Sequence, residues 1–234
     1  MTSQDRKNLK LGAKRQVLDH FKFYLLLSIL WLALYWVGAE INDRHIGWVT
    51  EAMTGNLHLT EYAGPFSFAG LLMLVGAVLH AGTMLTMIDV DRGTVQLDQP
   101  VQRSLRVFEN GRYFLGWLFI AIWSTVFIFL WTCLLVVPGI IKTLSYSQAF
   151  YLYRDAYDQG HPITALEAIT RSRQVMDGNK AFLFIMNLSF ILWFFLGGLF
   201  WGLPSLFVMP YYDLSMAKFY NQLVGVAQRE PEAD

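Results

Sequence analysis

Arg173-Gln174-Val175-Met176-Asp177-Gly178-Asn179-Lys180-Ala181-Phe182-Leu183 decides the architecture, because the chain carries two close variants of it upstream. They are Arg15-Gln16-Val17-Leu18-Asp19-His20-Phe21-Lys22-Phe23-Tyr24-Leu25 and Leu105-Arg106-Val107-Phe108-Glu109-Asn110-Gly111-Arg112-Tyr113-Phe114-Leu115. The shared pattern is a valine, a large apolar residue, an acid, two variable positions, a base, a variable position, an aromatic and a leucine. A recurring unit of this kind sets architecture before any residue chemistry does. Each copy stands directly before a long apolar run, so the sequence reads as three units of about 5–93, 98–160 and 164–225, with a short polar tail at 226–234. The first interval is longer than the second by about 22 residues, which fits one insertion in the stretch Ala39 to Pro65.

Composition places the units in lipid. Hydrophobic residues make up 55% of the 234 and charged residues 15%, against roughly 25% charged in soluble domains. Mean hydropathy is +0.37. A span needs about 20 mainly apolar residues, because lipid offers backbone amides no partner outside the helix. Phe21 to Gly38, Phe66 to Met87, Phe114 to Val137 and Ala181 to Phe200 meet this length. Ile140 to Tyr157 and Ser205 to Val224 are more polar, yet each begins after a Pro-containing turn and reads as a span facing protein. The expected fold is therefore all-α and polytopic: six transmembrane helices as three two-helix repeats about an axis along the membrane normal. A cleaved signal peptide, with Val37-Gly38-Ala39 as its processing site, is the rival reading of the first run.

Charge orients the bundle. Arg6, Lys7, Lys10, Lys14, Arg15 and Lys22 surround the start of the first span, whereas Ala39 to Pro65 holds Arg44 against Glu40, Asp43, Glu51 and Glu61. Arg92, Arg103, Arg106 and Arg112, then Arg171, Arg173 and Lys180, then Lys218 and Arg229, occupy the other segments of the same side. Positive residues collect in cytoplasmic loops, so both termini are expected in the cytoplasm of a bacterial plasma-membrane protein. Trp36, Trp131 and Trp201 near the outer ends, with Trp117, Tyr153 and Tyr220 near the inner ends, would form aromatic belts.

The segments that enter each unit read as amphipathic interfacial helices. Thr164-Ala165-Leu166-Glu167 is a capping box, and Gly178 is placed to end that helix in the left-handed region. Asp98 is positioned to cap a helix with Pro100 in its first turn and Val101, Leu105 and Phe108 in one stripe. Anionic lipid attracts such bases by about 1 kcal/mol each near the surface, although basic flanks also serve topology alone. Within the repeats Asp19 with Lys22, Glu109 with Arg112, and Asp177 with Lys180 are acid/base pairs at i,i+3. Local pairing is the simpler expectation; threefold placement would instead let the acid of one unit meet the base of the next in a cytoplasmic charge ring.

Asp213 is the charge nearest the middle of a span, where an acid costs about 2.5 to 3.5 kcal/mol on insertion scales and needs a partner. Lys142, Tyr146, Tyr211 and Tyr212 are the expected partners. His80 in the second span is a further titratable group near neutral pH. Bases and acids balance at 18 each, so no basic field exists to hold nucleic acid. Cys133 is the single cysteine, which rules out an intrachain disulfide and a cysteine metal cluster. The sequence has no His-Glu-x-x-His, Gly-x-Ser-x-Gly or phosphate-binding loop, so hydrolase and nucleotide-driven chemistry lack their minimal parts. No cofactor and no enzymatic activity are expected. Membrane lipids, in particular anionic ones, are the expected partners, with self-association open.

From Val137 onward a family resemblance emerges. Pro138-Gly139-Ile140-Ile141-Lys142, Leu144-Ser145-Tyr146-Ser147, Ala168-Ile169 with Ser172, Met176 with Gly178 and Lys180, Leu188-Ser189-Phe190-Ile191 with Trp193, Pro210-Tyr211, and Ala217 with Phe219-Tyr220 and Leu223 carry it. The chain resembles the bacterial integral-membrane family numbered nine-seven-five in the domain-of-unknown-function series. The resemblance extends over nearly the whole chain and is weakest from Ala39 to Pro65. That family is similar to the membrane domain of some glycerophosphodiester phosphodiesterases, which implies a helical membrane module without the catalytic barrel and supplies no catalytic residue. Phe200 and Pro204 depart from the usual Thr and Gly of its final hairpin. The expected role is a non-enzymatic membrane module of the bacterial envelope; a small-solute or proton-coupled transporter is the alternative, and a lipid-handling enzyme the third.

Overall fold

A computed structural model describes residues 1–44, 68–199 and 202–227, and every regular element among them is helical. α1 covers Ser3–Asp19, α2 Phe21–Arg44 and α3 Phe68–Asp91. The short α4, Pro100–Ser104, leads into a 3-10 turn at Arg106–Phe108. α5 is Gly111–Leu134, α6 Val136–Tyr146, α7 Ala149–Asp158, α8 Ala165–Val175, α9 Lys180–Leu199 and α10 Ser205–Ala227. The acid-rich stretch between the first two apolar runs falls largely on residues 45–67, outside the described residues, as do Trp201 and Arg229.

Among the described residues three stretches are long and apolar enough to cross a membrane: Phe21–Ile41 in α2, all of α3 and all of α5. α8 and Lys180–Phe195 of α9 make a fourth candidate if taken as one span, with an 88° bend between them. The expected fourth span is not one helix. It divides at Ser147 and Gln148 into α6 and α7, and a serine from α8 sits in the break. Ser172 Oγ donates to the Ser145 carbonyl at 2.7 Å and accepts from the Gln148 amide at 3.2 Å. It thereby satisfies two backbone groups where the helical ladder is interrupted. α10 contains Pro210 and also carries Asp213 and Lys218.

Two turns differ from expectation for local reasons. The reversal after α5 falls at Leu135, which is extended, and Pro138 lies in the first turn of α6, where its missing N–H would have had no helical partner anyway. Gly139 lets that turn approach α5: a Cβ there would sit 2.2 Å from Thr132 Oγ1. Asp98 does not cap α4. Its carboxylate is taken by Arg103, and Gln99, at φ 44°, stands at the cap without a side-chain bond. By contrast, Thr164 does cap α8 by accepting from the Glu167 amide at 3.2 Å, and Gly178 is left-handed at φ +71°. α1 has a full capping box, Thr2 with Asp5.

The helix preceding each apolar hairpin packs on a different hairpin. α4 lies on α2 and α3, α8 on α5, α6 and α7, and α1 chiefly on α10, with smaller contacts to α2 and α9. Small residues allow the close approaches. A Cβ at Gly82 would be 2.2 Å from the Ser104 carbonyl oxygen, and Thr86 Oγ1 beside it donates to the Arg103 carbonyl at 2.9 Å. α2 continues through Val37-Gly38-Ala39, and Gly38 and Gly76 hold α2 against α3. Tyr24, Leu27, Met87, Ile88, Met186, Phe190, Leu214 and Phe219 fill the centre at 0% exposure. A second cluster, with Leu85, Val107, Ile120, Tyr146 and Phe150, lies between α3, α5, α7 and α8. Apolar side chains cover the outside as well, among them Phe129, Leu134, Leu192 and Phe195, each above 60% exposed.

Candidate functional site

The charged ends of α3 and α7 meet the C-terminal half of α10. The apolar sequence of α3 gives way after Ile88 to Asp89-Val90-Asp91-Arg92, α7 ends in Arg154-Asp155-Ala156-Tyr157-Asp158, and α10 contributes Lys218, Tyr220 and Asn221. Arg92 forms two parallel bonds to Asp155, Nη1 to Oδ1 at 2.9 Å and Nη2 to Oδ2 at 2.6 Å, and its Nε donates to Asn221 Oδ1 at 2.8 Å. Tyr220 OH donates to Asp155 Oδ2 at 2.6 Å. Asn221 Nδ2 donates to Asp91 Oδ2 at 2.8 Å and to the Ile88 carbonyl at 3.0 Å, while Lys218 pairs with the other oxygen of Asp91. A bidentate guanidinium–carboxylate pair is both strong and directional, so Arg92 ties α3 to α7 in one geometry.

Deeper in the same cluster Arg154 Nη1 donates to Asp89 Oδ1 at 2.7 Å and to Asp158 Oδ2 at 3.2 Å. Arg106, from the 3-10 turn, pairs with the second oxygen of Asp89. Asp89 is 3% exposed and Arg154 4%. Four acids (Asp89, Asp91, Asp155, Asp158) thus meet four bases (Arg92, Arg106, Arg154, Lys218). Buried charge is tolerated only when so matched. For Arg92 burial disfavours the charge, but the Asp155 hydrogen bonds and carboxylate outweigh it and hold the guanidinium above its ordinary value.

The second polar pair lies between α3 and α10. His80 Nε2 is 3.1 Å from Asp213 Oδ1, and Trp31 of α2 packs over the imidazole with ring centroids 4.4 Å apart. The Asp213 side chain is 2% exposed and its Oδ2 has no hydrogen-bond partner among the described residues; nor do Ser28 Oγ and Trp31 Nε1, both on α2. His80 is therefore the partner that Asp213 needed, and the other candidates are elsewhere. Lys142 lies over the Trp131 ring, 4.6 Å from its centroid, at the α5–α6 turn. Tyr146 packs on Phe127 in the second core cluster. Tyr212 OH donates to Asn187 Oδ1 at 3.1 Å, and the Tyr211 ring packs on Phe190.

Among the described residues no acid at the shared position of the recurring phrase (Asp19, Glu109, Asp177) is paired with the base of another copy (Lys22, Arg112, Lys180). Lys180 Nζ donates to Asp177 Oδ1 at 2.9 Å, which together with the lysine charge holds the exposed Asp177 carboxyl below its usual range. Glu109 is 3.7 Å from Arg106, and Arg112 lies over the Tyr157 ring at 5.7 Å. Asp19 and Lys22 line a surface groove facing Leu97 to Pro100. Other charges do link distant segments: Asp89 with Arg106 and Arg154, Arg92 with Asp155, and Asp91 with Lys218. In the sequence Asp91, Arg92 and Asp155 stand at or beside the ends of α3 and α7, where periodicity alone reads a solvated end, whereas Lys218 and Asn221 stand inside α10.

Residues 133–227 match a family described as Protein of unknown function (DUF975). The matched stretch contains α6 to α10 and therefore Ser172, Asp155, Asp213 and Tyr220; residues 1–132, with His80, Asp89 and Arg92, lie outside it. No curated protein and no solved structure matches the chain. Over its C-terminal part the chain is thus similar to a family of unknown function.

Proposed function

We propose that the protein is a six-span module of the bacterial plasma membrane, non-enzymatic, with both termini in the cytoplasm. In this reading the three units are repeats, α6 with α7 forms a broken fourth span, α10 is the sixth, and the charge cluster is the cytoplasmic lock of the bundle. The same reading takes in the likeness to the membrane domain of glycerophosphodiester phosphodiesterases. One observation carries it: the matched four-acid, four-base cluster joins the second helix of all three hairpins at one end, above a centre filled by Phe190, Tyr24 and Leu27. Such a cluster suits a rigid scaffold, because every member constrains two helices and leaves no charge free to follow a solute. The cyclic packing of α4, α8 and α1 on successive hairpins supports the threefold arrangement.

Topology tests the reading directly. In a Cys133→Ser background, single cysteines introduced as Val137→Cys, Gln99→Cys and His161→Cys are treated with a membrane-impermeant maleimide in intact spheroplasts. Only Val137→Cys should label before lysis. Labelling of Gln99→Cys or His161→Cys from outside would overturn the six-span orientation.

A second reading, proton-coupled transport, rests on the His80–Asp213 pair and its unpartnered carboxylate oxygen, since intramembrane acids are functional candidates by default. Proton uptake into proteoliposomes tests it. An Asp213→Asn variant that moves protons as wild type does removes this reading.

A further inference from the structure

α1 has two unlike faces. Ala13 and Val17 are fully buried against α10 and its neighbours. On the outside Lys7, Leu11, Lys14 and Leu18 follow one another at helical spacing, and Leu11 and Leu18 are 66% and 56% exposed. Beside this stripe a groove of about 510 Å³ runs between α1 and the α9–α10 hairpin, lined by Arg6, Lys7, Lys10, Lys14, Trp193 and Phe207 among others. Among the described residues four bases line it and no acid does. Lys10 is held at its wall: Nζ donates to Ser189 Oγ at 2.8 Å and lies 4.2 Å from the centre of the Phe190 ring. Burial, and then the neighbouring Arg6 charge, push the Lys10 ammonium below its ordinary value. Cations crowded in this way without a facing acid are mutually unfavourable unless an anion joins them.

From this we infer that the groove between α1 and the α9–α10 hairpin binds an anionic phospholipid, its phosphate among Lys7, Lys10 and Lys14 and its acyl chain along Trp193 and Phe207. The occupant follows from charge complementarity together with apolar walls: inorganic phosphate would satisfy the bases but leave the aromatics unused, and a zwitterionic lipid would set its own cation against the lysines. The alternation of lysine and leucine on α1 gives the headgroup level and the acyl level one contact each per two turns, as amphipathic helices do at membrane surfaces. This inference rests on the membrane reading above, but its test is independent of topology.

The test uses the full chain in a neutral detergent, titrated with phosphatidylglycerol, with phosphatidylcholine of the same acyl chains, and with inorganic phosphate, bound lipid being counted by native mass spectrometry. Saturable uptake of phosphatidylglycerol is expected, with at least tenfold weaker binding of the other two. Each base near an anionic surface contributes about fivefold, so Lys7→Gln/Lys14→Gln, both exposed and outside the core, should weaken binding roughly 25-fold. Lys7→Arg/Lys14→Arg should bind like wild type. Arg171→Gln, which removes an exposed base on α8, should change nothing. Equal binding of the two lipids, stronger competition by inorganic phosphate, an unaffected glutamine variant, or an equal loss in Arg171→Gln would each overturn the proposal. A wild-type chain that spans six times but shows no lipid preference refutes the groove alone; lipid preference in a chain with another topology refutes the orientation alone.

Discussion

Asp155→Ala is the perturbation to which the charge cluster should be most sensitive. The carboxylate receives Arg92 at 2.9 and 2.6 Å, Tyr220 at 2.6 Å, and lies 3.3 Å from Arg154 Nε. Removing it leaves Arg154, 5% exposed, with one fewer counter-charge and Tyr220 without its acceptor. Breaking a buried ion pair from one side costs about 3 to 5 kcal/mol, and a lost hydrogen bond to a charged group about 1.5 to 3 kcal/mol. These are not additive, and Arg92 retains 29% exposure that lets water relieve part of the loss. The expected destabilisation is therefore about 3 to 4 kcal/mol. Asp158, whose side chain is 37% exposed, provides the contrast: Asp158→Ala should cost about 1 kcal/mol or less. Reversible unfolding in mixed micelles at increasing mole fraction of denaturing detergent measures both. In the same assay Arg92→Ala/Asp155→Ala should cost less than the sum of its single variants by about 1 kcal/mol or more. Additivity within about 0.5 kcal/mol, or an Asp155→Ala variant no weaker than Asp158→Ala, would refute the reasoning.

Ser172→Ala should cost about 1 to 3 kcal/mol, because the Ser145 carbonyl and Gln148 amide at the α6–α7 break lose their shared partner; hydrogen exchange at Gln148 should rise, and unchanged protection there would count against the clamp. Gly82→Ala places a methyl group where the Ser104 carbonyl already sits and should cost about 1 to 3 kcal/mol, read as a lowered thermal midpoint; an unchanged midpoint would show that α4 does not seat on α3. His80→Ala strands the Asp213 carboxylate between α3 and α10 and should destabilise more than His80→Ala/Asp213→Asn, which removes the stranded charge; the opposite order in the mixed-micelle assay would remove His80 as the partner of Asp213.

Part of the fold was legible in composition alone. The apolar runs of α2, α3 and α5 were found to within a few residues, since each helix is apolar along most of its length. Ile140 to Tyr157 was misread as continuous for the opposite reason. Its break is stabilised by Ser172, a residue 24 positions after Gln148, and no local pattern announces a hydroxyl supplied from another helix. Asp98 illustrates the same limit at shorter range: its carboxylate had a choice between the α4 amides and Arg103, and the charged partner won.

The candidate site divides likewise. His80 and Asp213 were each recognisable as polar groups in apolar surroundings, but their 133-residue separation left the pairing to tertiary structure. Within the recurring phrase Asp177 and Lys180 pair locally, because side chains three residues apart on one turn meet without any fold, whereas Glu109 lies beside Arg106 and Arg112 turns to Tyr157. Which charges bind hairpin to hairpin was decided only when α3, α7 and α10 converged. A carboxylate such as Asp155 takes its energy from the groups that surround it in space, and Arg92 and Tyr220 come from segments that the linear order keeps apart.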